Sequence, residues 1–350
     1  YATIRYDDRN MDDNTGTNEY TKNNRKAAIV LTSKVNDNLS FTYAGAVLSG
    51  SDTSSADTDG VEGYNNGNIY TVYNYFTYTG LANTSIAFGQ QTVDTVFTNS
   101  VDTAGGTQEG NGITAATTIG GVSLVAGYFN ETNLGKGDQV SKLTAVVPAA
   151  TASALNNADL VVVKASGKAA GIALDATYMD LQDMLDGYSI GAKTTIETDG
   201  AKFSPYARYT QIDIDGSDDT NKMTTIGTKY AVAMIKGKVQ FSTTGKDGGF
   251  VAVDTDSEGA YQGWGTQING VADAEHLVVN AGTSLTSTLS ASITYASLDA
   301  KDNTKDADET YGQLTWKPSK NFLGYVRYGE VDYDGANDGQ RGRINLTYLF

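Results

Sequence analysis

The chain has no cysteine, a single histidine and only three prolines in 350 residues. Without cysteine there is neither a disulfide framework nor a thiolate metal site, and that lack suits a protein that crosses an oxidising periplasm as well as it suits small cytosolic proteins. With one histidine, His276, and no Ser-His-Asp context around it, a hydrolytic centre has no visible base, and His276 reads as an ordinary rim or lumen residue. No run of 18 apolar residues exists. The longest bland stretch, Leu143 to Leu155, is interrupted by Pro148 and made mostly of Ala, Val and Thr, which excludes a transmembrane helix. Basic residues are scarce: 25 Lys and Arg stand against 41 Asp and Glu, a net charge of −16. Nucleic-acid binding needs a basic stripe that releases phosphate counterions, so that partner is excluded. Acids crowded into segments such as Asp213 to Asp219, Asp254 to Glu258 and Asp302 to Glu309 predict a solvated rim that attracts cations.

What is abundant points to strands. There are 39 Gly and 22 Tyr, and chains rich in both and poor in proline favour extended segments joined by turns. Apolar and polar residues alternate at Leu39, Phe41, Tyr43, Val47; at Val122, Leu124, Ala126, Tyr128; at Ile172, Leu174, Ala176, Tyr178; and at Leu289, Ala291, Ile293, Tyr295. The last twelve residues do the same, with Ile344, Leu346, Tyr348 and Phe350 on one face and Arg341, Arg343, Asn345 and Thr347 on the other. A barrel strand in a membrane exposes only every second side chain to lipid, so low overall hydropathy is no obstacle. The chain opens abruptly within a strand, Tyr1 to Asp7, so a secretory leader is expected to precede it. Phe350 reads as the terminal aromatic by which outer-membrane proteins are recognised for insertion.

Alternation alone does not separate a soluble sandwich from a membrane barrel, because both carry one apolar and one polar face. Loop lengths separate them. Short breaks are expected at Asn36 to Asn38, Gly80 to Asn83, Gly120 to Gly121, Ser166 to Lys168, Thr198 to Ala201, Lys236 to Gly237 and Pro318 to Lys320. Long segments fall between them at Asp7 to Asn24, Gly50 to Gly67, Thr92 to Gly112, Thr132 to Ala158, Gly245 to Ala274 and Leu298 to Asp308. Short periplasmic turns opposite long extracellular loops are the asymmetry of outer-membrane barrels. The expected fold is therefore one all-β domain over residues 1–350, an antiparallel transmembrane barrel of about 18 strands with 16 as the lower count. Pairing of the first strand with the last removes the open edge that a bilayer does not tolerate.

Basic residues fall in the polar phase of their strands: Arg5, Lys193, Arg208, Lys229, Arg327, Arg341 and Arg343. An arginine on the lipid face at mid-depth costs about 2 to 4 kcal/mol, so these side chains are expected to face a wet lumen. Opposite them, the segment Gly89 to Gly112 carries Asp94, Asp102 and Glu109 among small residues. In a general porin the third extracellular loop folds into the barrel, and this is the third long loop. Acids there, facing a basic wall, would set a transverse field across the pore. The Asp-Gly stretches at Asp213 to Asp219 and Asp332 to Asp338 read as hairpin turns, since the first has Thr224 where a calcium loop needs a glutamate.

The run GQQTVDTVFT at Gly89 to Thr98, followed by Asp102, and the closing stretch from Tyr311 through Pro318 to Phe350 resemble the major outer membrane porins of the epsilon-proteobacteria, the Campylobacter type. In outline the resemblance extends from Arg5 to Phe350. It implies a homotrimeric, cation-selective porin of 18 strands with a calcium ion near its constriction. The calcium ligands of that family would fall at Asp102, at Asn130 and Glu131, and at Glu258, with Asn130 standing where the pattern expects an acid. The resulting expectation is a general diffusion porin in the outer membrane of a Gram-negative bacterium, passing ions and small hydrophilic solutes. It is not expected to be an enzyme; the alternatives are a surface adhesin or structural barrel with a plugged lumen and, behind that, an outer-membrane hydrolase.

Overall fold

A computed structural model describes residues 1–12, 20–52, 69–102, 106–136, 152–301, 305–334 and 338–350. Each strand pairs antiparallel with its neighbours in sequence, and the first strand, Ala2–Asp12, pairs with the last, Asp338–Tyr348. The result is a closed barrel of 18 strands with almost no helix. Nineteen extended segments make these 18 strands, because Leu185–Lys193 and Ile196–Thr198 both pair with Ala201–Ile214. Pro205 explains the gap. Thr194 donates its N–H to the Pro205 carbonyl at 3.1 Å, but proline has no N–H to return, so one rung of the ladder is unmade where the strand breaks.

Side-chain phase is strict. Ile4, Leu124, Leu174, Ile190, Ile226, Ile293, Val326 and Ile344 project outward and are exposed, forming an apolar belt. Tyr128, Tyr178, Tyr188, Tyr295 and Tyr328 ring the belt toward the loop end, while Tyr78, Trp316 and Tyr348 ring it toward the turn end. Tyrosine hydroxyls in the upper ring find polar partners, Tyr128 on Asp159 at 2.8 Å and Tyr295 on Asp308 at 2.7 Å, as amphipathic rings at a membrane boundary do. Arg5 and Arg343 occupy the opposite phase to Ile4 and Ile344. In this cysteine-free chain, a cysteine at position 5 or 343 should react with a water-soluble thiol reagent in intact membranes, and one at 344 or 346 should not. Labelling at 344 with silence at 343 would invert the wall.

One end of the barrel carries connections of two to four residues, among them 120–121, where Gly120 and Gly121 both take positive φ in a tight hairpin turn. Two of the expected turns lie elsewhere. Ser166 to Lys168 is inside the strand Leu160–Ala169, with the turn at 170–171, and Lys236 to Gly237 is inside Ile235–Thr244, with the turn at 233–234. The polar residues there, Ser166, Lys168 and Lys236, hold the lumen phase, so a wet inner face imitates turn composition. Asp7 is likewise a strand residue rather than part of a loop, and its carboxylate pairs with Arg343. Glu109 begins the strand Glu109–Ile119.

At the other end the connections are longer, except at 182–184 and 334–337. Among the described residues, two of them run into the lumen along most of their length. The segment 93–102 crosses the lumen: Lys164 reaches the Asp94 carbonyl at 2.8 Å from one wall, and Lys26 reaches the Asp102 carbonyl at 2.8 Å from another. The segment 245–273 docks on it through Val253 N–H to Phe97 O at 2.9 Å and Gly259 N–H to Val96 O at 2.8 Å. A dry core forms between these loops and the inner wall, with Val93, Phe97, Phe250 and Val253 packed against Leu160, Met179, Leu181, Leu185 and Ile212. That is why alternation fades over Leu160–Val163: one face meets lipid, the other meets loop.

Candidate functional site: an arginine wall across the lumen

The strands that close the barrel build one wall of the remaining passage. Register places Arg343 directly opposite Arg327 on one side and Asp7 on the other, and Arg327 opposite Gln313. Two guanidinium groups facing each other across strands would repel. The repulsion is offset locally, because Arg343 pairs with Asp7 and Arg327 donates from Nε to Gln313 at 2.9 Å. Arg5 donates to Asn345 at 3.2 Å in the next inward row. An indole from the loop 245–273 lies over this wall: the Trp264 ring is 4.9 Å from the Arg341 guanidinium, 5.0 Å from that of Arg327 and 5.8 Å from that of Arg343. Tyr311 adds a second ring 4.7 Å from Arg327 and meets Trp264 edge-on at 5.4 Å. Such contacts contribute about 0.5 to 1 kcal/mol each while leaving the charge in place.

In front of the wall is an open cavity of about 640 Å³. Arg5, Lys238, Arg327, Arg341 and Arg343 line it from the strands; Asp102, Asp256 and Glu258 line it from the two inward loops. Asp102 is held in place through its own backbone, which takes the Lys26 ammonium, with the Tyr1 hydroxyl 3.5 Å away. A charged passage with a positive strand side and a negative loop side is thus present.

Of the residues singled out from sequence, Arg5, Asp102, Arg327, Arg341, Arg343 and Glu258 meet at this cavity, and the others do not. Arg208 is spent on structure, with Asp175 at 2.8 Å, Ser189 at 2.9 Å and the Tyr261 hydroxyl at 3.1 Å. Asp94 pairs with Lys164 at 2.7 Å and accepts from Ser100 at 3.1 Å. Partial desolvation within the lumen opposes its charge, but the hydrogen bond and charge of Lys164 outweigh that and hold its carboxyl below the usual range. Glu109 takes the Asn133 amide at 2.6 Å and pins the base of its loop. Lys193 and Lys229 keep the inward phase nearer the turn end, Lys229 directly opposite Lys238.

The four expected calcium ligands do not form one set. Asp102 and Glu258 share the cavity, whereas Asn130 and Glu131 are exposed at the far end of Val122–Thr132 and do not line it. Among the described residues no three acids gather closely enough to hold an ion. Guanidinium groups line the cavity that Asp102 and Glu258 share, and they compete with a hard cation for those carboxylates.

Sequence reasoning missed Lys238, Trp264 and the entry of the second loop. Lys238 had a signal in the polar phase of KGKVQF. The loop had one too: Phe250, Val251, Ala252 and Val253 form an apolar run unsuited to a free surface, and all four are buried.

No family model matches the chain, and no curated protein matches it. Solved structures do. OpdQ of Pseudomonas aeruginosa covers 99% of this chain and 97% of its own at 15% identity with a TM-score of 0.76, and OccK5 (OpdH) of the same organism covers 99% and 96% at 12% identity and 0.76. OccAB4 of Acinetobacter baumannii covers 99% and 96% at 11% identity and 0.72. The chain has the fold of Gram-negative outer-membrane porins. The apolar belt between two aromatic rings puts that porin fold in the outer membrane. These neighbours carry the porin fold and do not reach the narrower Campylobacter-type reading of the Gly89 to Thr98 run and the closing stretch, for or against.

Proposed function

We propose that the protein is a water-filled outer-membrane channel for small hydrophilic solutes that carry negative charge, carboxylates foremost. The observation that carries this reading is the wall of Arg5, Arg327, Arg341 and Arg343 lining the cavity beside the inward loops. Five cationic side chains line it against three carboxylates, and Arg343 spends part of its charge on Asp7. Selectivity is set at the narrowest ring, since exposed charges beyond a Debye length of about 8 Å are largely screened. The chain's overall charge of −16 therefore matters less than the local balance, and anion preference replaces the cation preference that overall acidity suggests. Two loops across the lumen also favour a selective passage over general diffusion. A crystal structure of Pseudomonas aeruginosa OpdK with vanillate, a carboxylate, shares the fold at 13% identity and a TM-score of 0.72, which supports this solute class.

The test is current through the purified protein in a planar bilayer under a salt gradient. Stepwise ohmic openings are expected, in threes if the assembly is a homotrimer, with a reversal potential favouring chloride over potassium and reduced current when an organic carboxylate is added. A cation-preferring current would overturn the anion assignment. No current at all would favour a barrel plugged by the same two loops.

A further inference from the structure

At the tip of the loop 245–273, one buried acid gathers the backbone donors that face the wall. Glu309, 3% exposed, points inward from the strand Ala307–Ser319. Its carboxylate accepts the backbone N–H of Trp264 at 2.7 Å and that of Gly265, with the Thr266 hydroxyl at 3.4 Å. The tip is shaped for it. Gly263 donates to the Thr266 carbonyl at 2.9 Å to close a turn, and a Cβ on Gly263 would collide with Glu309 Oε1, while one on Gly265 would come within 2.9 Å of Oε2. Further bonds converge on the same four residues: Arg341 Nη1 to the Trp264 carbonyl at 2.6 Å, the Tyr333 hydroxyl to the Gly265 carbonyl at 3.0 Å, and the Thr266 hydroxyl against His276 Nε2 at 2.8 Å.

A carboxylate removed from water is costly unless hydrogen bonds and charge compensate it. This one has both, with Arg341 and Lys238 near enough to act on its charge. Convergence of backbone donors on a buried acid specifies one loop position, and that position lays the indole over Arg327 and Arg341. The Trp264 Nε1–H is itself buried and has no protein acceptor, so the ring is placed by its backbone and by the guanidinium faces.

We propose that Glu309 is the positioning residue of the constriction: it fixes Trp264 against the arginine wall and thereby sets both the width of the passage and its charge preference. This rests on the cavity being the permeation path. Freed of the catch, the tip leaves the wall, the passage widens, and the arginines act across a larger aqueous gap.

Single-channel recording of E309A, E309Q, W264A and E309A/W264A tests the assignment. E309A should raise unitary conductance about twofold and move the reversal potential toward zero, because both depend on the narrowest ring. E309Q keeps one acceptor oxygen and should fall between wild type and E309A. W264A should also widen the passage, and adding E309A to it should change nothing further, since the acid acts through the ring. Wild-type conductance and reversal potential in E309A, or full additivity in the double variant, would overturn the proposal. Should E309A not fold, iodide quenching of Trp264 fluorescence in E309Q reads the same motion, with Trp316 replaced by Phe to leave one indole. The quenching slope should rise about twofold as the ring samples the released position, and an unchanged slope would refute the catch. A silent wild-type channel would remove the transport reading, while the quenching result would still decide for or against Glu309.

Discussion

Replacing Arg327, Arg341 and Arg343 together by glutamine should turn an anion-preferring channel into a cation-preferring one. The cavity then keeps two cationic side chains, Arg5 and Lys238, against Asp102, Asp256 and Glu258. Two unit charges about 4 Å apart interact by about 1 kcal/mol even in bulk water, so three lost guanidinium groups lower the anion-to-cation permeability ratio on the order of tenfold or more. The Nε2 of a glutamine takes the place of the arginine Nε, so position 327 can still bond to Gln313, while the shorter side chain at 341 gives up the Nη1 bond to the Trp264 carbonyl along with its charge. The measurement is the reversal potential under a salt gradient, at low and high ionic strength. Its sign should invert at low salt and the difference should shrink at high salt. A shift no larger than that from replacing Lys193, which lies outside the cavity, would mean that the wall does not control permeation.

Phe97→Ala should open the lumen without breaking the barrel. Phe97 is fully buried between the two inward loops and the inner wall, packed with Val93, Val253 and Leu160. Truncating a buried phenylalanine costs about 3 to 5 kcal/mol, and here that cost falls on loop docking, because strand pairing runs through backbone ladders that Phe97 does not join. The segment 93–102 would still be tethered by Lys164 and Lys26, but exposed ion pairs such as Asp94 with Lys164 contribute only about 0 to 1 kcal/mol. Conductance should rise several-fold and flicker, while the heat-modifiable mobility of the folded barrel stays at its wild-type value. A folded variant with unchanged conductance would mean that the loop does not limit flow.

The barrel could be read from the chain because lipid enforces a period of two, and the short connections recur at one end. Strand ends were harder. Lumen residues such as Ser166, Lys168 and Lys236 have turn-like composition because they face water, and the true turns at 170–171 and 233–234 begin with alanine, which gives no turn signal. The wall was legible for the same reason as the barrel: an arginine within an alternating strand has only one affordable direction. Asp102 was legible from its place in the third loop. Glu309 and Trp264 were not, since their roles come from contacts between residues 45 positions apart that no local pattern records. Arg208 shows the converse. Its phase was right, yet Asp175, Ser189 and Tyr261 bind it, and no spacing in the sequence announces that.

The seam between the first and last strands has a kinetic meaning. Every other pairing joins neighbours in sequence and can form as a local hairpin, whereas Asp7 and Arg343 are 336 positions apart. Each doubling of loop length adds only about 0.6 kcal/mol of closure entropy, so the seam is affordable once formed, but contacts of such range are found slowly. Hairpins can therefore accumulate in order along the chain, with one distant encounter left to finish the circle. Until that encounter the two terminal strands present unsatisfied backbone to whatever surrounds them, so the half-built sheet needs a partner edge or a chaperone at that stage and no other.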